Sequence, residues 1–352
     1  MLYHGVALRY VVELPVLGVP VRFESNSAAA VAAVEDAFGM WRALRESPEL
    51  IAPRSLRVRL IVHEGDEGPA PHAPVTCRMP DADRIIVHTP GSVGIADSSR
   101  REAIAYITPA LLADRVHVRY GVIEGLTLTL VTSCDRYPVH AAAVTRGDVA
   151  ILLAGPPGTG KSTLAYQAYR HGWRVLCDDA AYVQLDPELR VWGVPGRVHL
   201  LATACGHFPE LAGRHPSFQA NGDEKLVVGF PDAWPAQGAA LPVASRVGVC
   251  LLERKGGVAS LAPASRAEVR AFLEEGLGLS RLRFGAALDD ALRRLVPPAG
   301  GWRLSLSGKP EDAVPHLDAM LTQLESRELD LRTSLSSQSQ PSQRPSHSSR
   351  RG

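Results

Sequence analysis

Charge of one sign is missing from this sequence: 38 lysines and arginines stand against 37 aspartates and glutamates, a formal net charge of +1. Without a basic field there is no electrostatic footprint for nucleic acid, and there is no acidic field either. Cysteine is sparse. The five, Cys77, Cys134, Cys177, Cys205 and Cys250, are odd in number and far apart, and no CxxC or Cys/His cluster has zinc spacing. They read as reduced core thiols. No run of about 18 uncharged apolar residues occurs, so no membrane span is expected. The N-terminal stretch carries Glu13 and prolines, with no basic leader and no small-residue cleavage site. Cytoplasmic residence is the expectation that follows.

What the chain does have, at 352 residues, is length for two folded units, each able to bury a core. One stretch organises it. Gly155-Pro156-Pro157-Gly158-Thr159-Gly160-Lys161-Ser162-Thr163 follows the apolar run Val149–Ala154 and precedes Leu164-Ala165-Tyr166-Gln167-Ala168-Tyr169. A strand, a glycine-rich turn and a helix are predicted, the context that separates a P-loop from a chance match. Backbone N–H groups and a helix N-terminus then converge on a polyphosphate. Lys161 brings a point charge to the β- and γ-phosphates, and the Ser162 hydroxyl is a candidate Mg²⁺ ligand.

The residues on either side sharpen this. Val139 to Val144 and Val149 to Ala154 are short strands around Thr145-Arg146-Gly147-Asp148, a turn suited to a hairpin. Paired residue numbers then sum to about 294 or 295, which sets His140 opposite Ala154 or Gly155, at the mouth of the loop. Downstream, a helix from Ser162 to His171 is closed by Gly172, and a strand from Trp173 to Cys177 ends in Asp178-Asp179. A right-handed crossover puts the carboxyl ends of both strands on one edge, so the two aspartates arrive beside the phosphates. Neighbours on a regular strand face opposite ways, so the strand must end there for both to serve one site. Together they suit Mg²⁺ coordination and a base for an attacking hydroxyl.

Residues 1–136 alternate short strand-like runs with helical stretches and read as a smaller α+β domain for accessory or substrate-recognition work. Strands are expected at Leu8 to Leu14, Leu56 to Val62 and Arg84 to His88. Helices are expected from Ala28 to Arg45, capped by Ser25-Asn26-Ser27, and from Ala110 to Thr132, with breaks at Gly121 and Gly125. His63, Glu64, Asp66 and Glu67 read as a solvated turn. Residues 137–328 form the P-loop catalytic domain, with further strands near Tyr182, Val191, Lys225 and Val247 and packing helices from Arg266 and Pro310. Lys225 and Arg197 are weaker candidates for phosphate contacts, since exposed cations are common. Residues 329–352, rich in Ser, Gln and Arg, lack the apolar side chains that offset ordering entropy and are expected to be disordered.

His140-Ala141-Ala142-Ala143, the apolar strand, GPPGTGKST, the helix and Leu176-Cys177-Asp178-Asp179-Ala180 together resemble the catalytic domain of HPr kinase/phosphorylase, in the phosphoenolpyruvate carboxykinase-like P-loop superfamily. The resemblance implies an α/β fold with a mixed sheet. It implies that Lys161 and Ser162 serve ATP and Mg²⁺, that Asp178 is the base toward a serine hydroxyl, that Asp179 helps hold Mg²⁺ and that His140 assists. The loop is GPPGTG where that family more often has GxSGxG, and residues 1–136 do not look like its usual N-terminal domain. The closer likeness is to HPr kinase-related serine kinases, some of which modify peptides. The expected partner is a protein or peptide acceptor, with a homo-oligomer left open. Two other readings stay in view: an NTPase that couples hydrolysis to a conformational change, and a nucleotide-binding module with a scaffolding role.

Overall fold

The computed structural model describes residues 5–65, 75–219, 223–230 and 241–338. Its fold is mixed α/β, with two mixed and two antiparallel sheets among the described residues. The N-terminal sheet has seven strands in the order Tyr10–Val16, Val19–Ser25, Leu56–Val62, Glu102–Ile107, Ser92–Asp97, Arg84–Thr89 and Thr76–Arg78. Its first hairpin turns at Leu17 and Gly18, both at positive φ (51° and 76°), as a two-residue turn between twisted strands requires. A Cβ on Gly18 would lie 2.5 Å from the Leu50 carbonyl oxygen and 2.7 Å from the Trp192 ring. Only glycine lets this turn reach the other half of the molecule.

The helical expectations in this half need correcting. Ala28–Phe38 is α-helical, but Gly39–Glu46 tightens to a 3-10 helix. Ser27 makes no side-chain cap; Ser25 Oγ instead donates to the Leu60 carbonyl and Asn26 Nδ2 to that of Val62, tying the helix entrance to a strand. The stretch after Thr108 breaks at Asp114, earlier than its glycines suggest. It comprises Pro109–Ala113, a π-helical segment His117–Glu124 and the helix Gly125–Val131. His63 is held by the Glu64 and Gly91 carbonyls, whereas Asp66 and Glu67 lie outside the described residues.

The C-terminal half is built on a six-stranded sheet in the order Arg174–Cys177, Ala142–Arg146, Val149–Ala154, Arg246–Arg254, Gly301–Leu306 and Ser260–Ala264. The hairpin register is as expected over its paired part, with Arg146 opposite Val149 and Ala142 opposite Leu153. Arg174–Cys177 runs in the same direction as Val149–Ala154, with Ala142–Arg146 antiparallel between them. The crossover therefore delivers both carboxyl ends to one edge without making the strands neighbours. A four-stranded sheet follows the order Val243–Ala244, Arg190–Gly193, Ala180–Gln184 and Tyr137–His140. A three-stranded one has the order Arg197–Leu200, Glu224–Gly229 and Ser217–Phe218. The helix Gly278–Leu295 has no counterpart among the expected elements. The last helix runs Val314–Gln338, so residues 329–338, expected to be disordered, are helical, and 339–352 lie outside the described residues.

Trp192 joins the halves. It is fully buried in one core with Leu14, Phe23, Phe38 and Trp41, its ring centroid 6.3 Å from that of Trp41. The Arg136 guanidinium lies 4.9 Å over the Trp192 ring and donates through Nε to the Leu17 carbonyl at 2.8 Å; burial pulls its pKa down to about 10. The indole N–H is satisfied by Gln184 Oε1 at 2.8 Å. Trp192→Ala removes a large side chain that the surroundings cannot fully replace, and should cost about 3–5 kcal/mol. Calorimetry should show the whole unfolding transition moving down, because the cavity opens in a core that both halves share.

Candidate active site

The loop rises from Val149–Ala154, a strand buried at every residue and flanked by an antiparallel neighbour on one side and a parallel one on the other. Gly158 (φ +75°) and Gly160 (φ +114°) take conformations that side chains rarely adopt, and Gly160 is the N-cap of the helix Lys161–Arg170. Thr159 Oγ1 and its N–H both reach the Pro156 carbonyl (2.5 and 3.2 Å), which closes the turn. Arg254 Nε braces it from the neighbouring strand by donating to the Thr159 carbonyl at 2.9 Å. Lys161 is 8 % exposed, and its Nζ donates to the carbonyls of Gly155 (2.7 Å) and Pro156 (3.4 Å). Burial pulls the Lys161 pKa below the ordinary lysine value, opposed by the negative charges of Asp179 and Asp178.

Asp178 and Asp179 lie where the chain passes from one sheet to another. Arg174–Cys177 ends in the six-stranded sheet and Ala180–Gln184 begins in the four-stranded one, so the adjacent carboxylates diverge. Asp178 is 8 % exposed. Its Oδ2 accepts from the His199 backbone N–H at 2.7 Å and lies 3.2 Å from His199 Nδ1. Its Oδ1 is buried with no hydrogen-bond partner among the described residues. The Asp179 side chain is 77 % exposed, its Oδ1 3.3 Å from His140 Nδ1.

His140 is therefore at the site by a different route from the expected one. The hairpin pairing stops at Ala142, and Tyr137–His140 belongs to the other sheet, where His140 pairs with Ala180. It stands beside Asp179, not across from Gly155. A cavity of about 340 Å³ brings Ser162, Asp178, Asp179, Arg197, His199 and Lys225 together. Lys225 forms an ion pair with Asp223 at 3.5 Å, while Asn221 and Gly222 of its predicted turn lie outside the described residues. Arg197 donates through Nη1 to the Tyr120 hydroxyl at 2.7 Å, so it is committed to that phenol at the cavity wall. On the other flank of the loop a cavity of about 490 Å³ is bounded by Pro156, Pro157, Gly158, Leu252, Phe272 and Arg303.

Sequence reasoning missed several wall residues. His199 was legible: in Arg197-Val198-His199-Leu200 the alternation buries Val198 and Leu200 and turns Arg197 and His199 together to the other face. Arg119, Tyr120 and Glu124, which also line the cavity, come from the N-terminal half and carried no local signal. Among the described residues no three or more His, Cys, Asp or Glu side chains cluster as a metal cage. Mg²⁺ does not ask for one, since it commonly takes one or two carboxylates and completes its shell with phosphates and water. The hard oxygens of Ser162 and Asp179 fit that donor set.

No family model matches the sequence, and no curated protein does. Among solved structures, that of the Hpr(Ser) kinase/phosphatase from Coxiella burnetii is similar over 58 % of this chain and 99 % of that chain, at 11 % identity and a TM-score of 0.29. At that score it carries no argument about what this chain does. No helix among the described residues is long and apolar enough to cross a membrane.

Lys161→Met keeps the stem and removes the charge and its donors. ATP, the ligand expected from the loop sequence, should bind at least about tenfold more weakly, a loss of about 1.4 kcal/mol, while circular dichroism stays that of the parent; titration calorimetry measures it.

Proposed function

We propose that the protein is an ATP- and Mg²⁺-dependent phosphotransferase that moves the γ-phosphoryl group to a hydroxyl, a serine of a protein or peptide. The observation that carries this is the buried Oδ1 of Asp178, without a hydrogen-bond partner among the described residues, on a side chain that lines the same cavity as Ser162. A buried carboxylate oxygen without a partner is costly unless a ligand supplies the missing donor. An acceptor hydroxyl is such a donor. A base must lie within hydrogen-bond reach of the proton it takes, and Asp178 lines the same cavity as Ser162 at the start of the loop helix.

The chain's own residues account for the rest of the transfer. The loop glycines and the N-terminus of Lys161–Arg170 cradle the phosphate oxygens, and Lys161 exchanges its loop carbonyls for β- and γ-phosphate oxygens. Asp178 Oδ1 accepts the hydroxyl proton as the acceptor oxygen bonds to phosphorus and the bond to the bridging oxygen of ADP breaks. Lys225 sets a positive charge at the cavity where negative charge develops. Ser162 and Asp179 would hold Mg²⁺, which neutralises phosphate charge when bound.

Glu253, at the end of the parallel neighbour of the loop strand, is the place from which an NTPase would draw an acid to orient water. Here it is held by Lys255 Nζ (2.8 Å) and Ser305 Oγ (2.7 Å), and those contacts lower its pKa. Engagement on this scale favours a structural brace over a water-orienting group. Incubating the protein with γ-labelled ATP and a panel of serine peptides should label an acceptor, and Asp178→Asn should slow labelling by about 10²–10⁴-fold. Equal labelling by both would remove Asp178 as the base, and steady phosphate release with no labelled acceptor would favour the NTPase.

A further inference from the structure

A line of four polar side chains, one of them from the N-terminal half, ends on the proposed catalytic carboxylate. Arg197 Nη1 lies 2.7 Å from Tyr120 Oη, Tyr120 Oη 3.3 Å from His199 Nε2, and His199 Nδ1 3.2 Å from Asp178 Oδ2. A guanidinium has only donors and does not deprotonate in proteins. The guanidinium fixes the first bond, and a phenol that gives its proton to the ring sets the direction of those that follow. Tyr120 Oη accepts from Arg197 and turns its single proton to His199. Nε2 accepts it, which places the proton of the neutral ring on Nδ1, and Nδ1–H donates to Asp178 Oδ2. The His199 backbone N–H donates to the same oxygen at 2.7 Å.

We propose that Arg197, Tyr120 and His199 are positioning residues that act as a one-way hydrogen-bond relay: they saturate Oδ2 of Asp178, fix its rotamer and leave Oδ1 as the oxygen presented to the acceptor. What Oδ1 then does rests on the phosphotransferase reading; the direction of the bonds does not. The relay also gives the N-terminal half a place in the site, because Tyr120 comes from the π-helical segment His117–Glu124, a wide turn of the kind that re-aims side chains at functional sites. Packing holds each member. The Tyr120 ring meets His199 edge-on at 5.9 Å, with the guanidiniums of Arg119 and Arg197 each 5.5 Å from its centroid. Val198 and Leu200, buried on either side of His199, lock its backbone. Burial raises the Tyr120 pKa, which keeps the phenol a donor.

Two readouts test the relay on the full chain. Nitrogen-15 spectra of histidine-labelled protein, with His199 assigned by its loss in His199→Asn, should show a neutral ring protonated at Nδ1. Tyr120→Phe, which keeps the ring and removes the hydroxyl, should return it toward the ordinary Nε2–H form. An Nε2–H ring in the parent, or a ring indifferent to Tyr120→Phe, overturns the proposal even if no acceptor is ever found. In the transfer assay Tyr120→Phe should lower kcat about tenfold, as loss of a hydrogen bond in a charged network does, with KM for ATP unchanged. His199→Asn, whose amide can donate in place of Nδ1–H, should retain far more kcat than His199→Leu and should no longer respond to Tyr120→Phe. Equal losses in Asn and Leu variants would reduce His199 to packing and overturn the relay. A parent that binds ATP but labels no acceptor would fail the phosphotransferase reading alone, and the spectra would still decide the relay.

Discussion

The site depends on the chain changing sheets twice at one edge. Tyr137–His140 lies in the four-stranded sheet and Ala142–Arg146 in the six-stranded one, with Ala141 as the crossing. Later the chain returns from the six-stranded to the four-stranded sheet through Asp178 and Asp179. Pairing of Ala180 with His140 and of Cys177 with Ala143 holds the two crossings side by side. Ala141 is fully buried and its carbonyl accepts from Cys177 Sγ at 3.5 Å. A regular strand would send neighbouring side chains to opposite faces of one sheet. A strand that changes sheets can turn one inward to His199 and leave the next open beside His140.

One buried guanidinium and one half-buried one fix how the N-terminal half meets this edge. Arg136 reaches the Leu17 carbonyl across the junction, and Arg283, on the helix Gly278–Leu295, donates to the Ala82 and Thr129 carbonyls and to Ser98 Oγ. Burial lowers the pKa of both. A desolvated cation that depends on several carbonyls tolerates little displacement, because any lost bond leaves charge uncompensated. Such contacts add less to net stability than to uniqueness of the docked arrangement. Tyr120 needs that uniqueness, since its bond to His199 spans the same junction.

Elements whose cause is local were legible in the sequence. The apolar run, the two positive-φ glycines and the helix after them are each dictated by residues within a few positions, and the Gly/Asp turn set the hairpin register correctly through Ala142. The register stopped being informative at Ala141, because nothing in His140-Ala141-Ala142 announces that the strand partner changes. The helix Gly278–Leu295 carries a residue at φ +49°, Gly285, inside it, which breaks the periodicity that would have revealed it. Tyr120 was invisible for a different reason. Its role comes from a contact between distant segments, and its own neighbourhood, read as an interrupted helix, shows no catalytic constellation.

Two carboxylates adjacent in sequence carry identical chemistry, and the fold alone distinguishes them. Asp178 is enclosed, has the His199 N–H and Nδ1 against one oxygen and keeps the other without a hydrogen-bond partner among the described residues. Asp179 is open to solvent, with the His140 ring beside it. A metal ion that retains waters and reaches phosphate oxygens needs an accessible carboxylate that can adjust. A base needs the reverse: one oxygen held in a fixed direction, with solvent kept from competing for the proton. Under the proposed phosphotransferase reading, burial and partners would divide the pair into a proton acceptor and a metal ligand, a division of labour set by environment where composition gives none. Exchanging the two roles would require Asp179 to enter the core beside strand Arg197–Leu200, where Val198 and Leu200 already fill the space against Phe208 and Leu226.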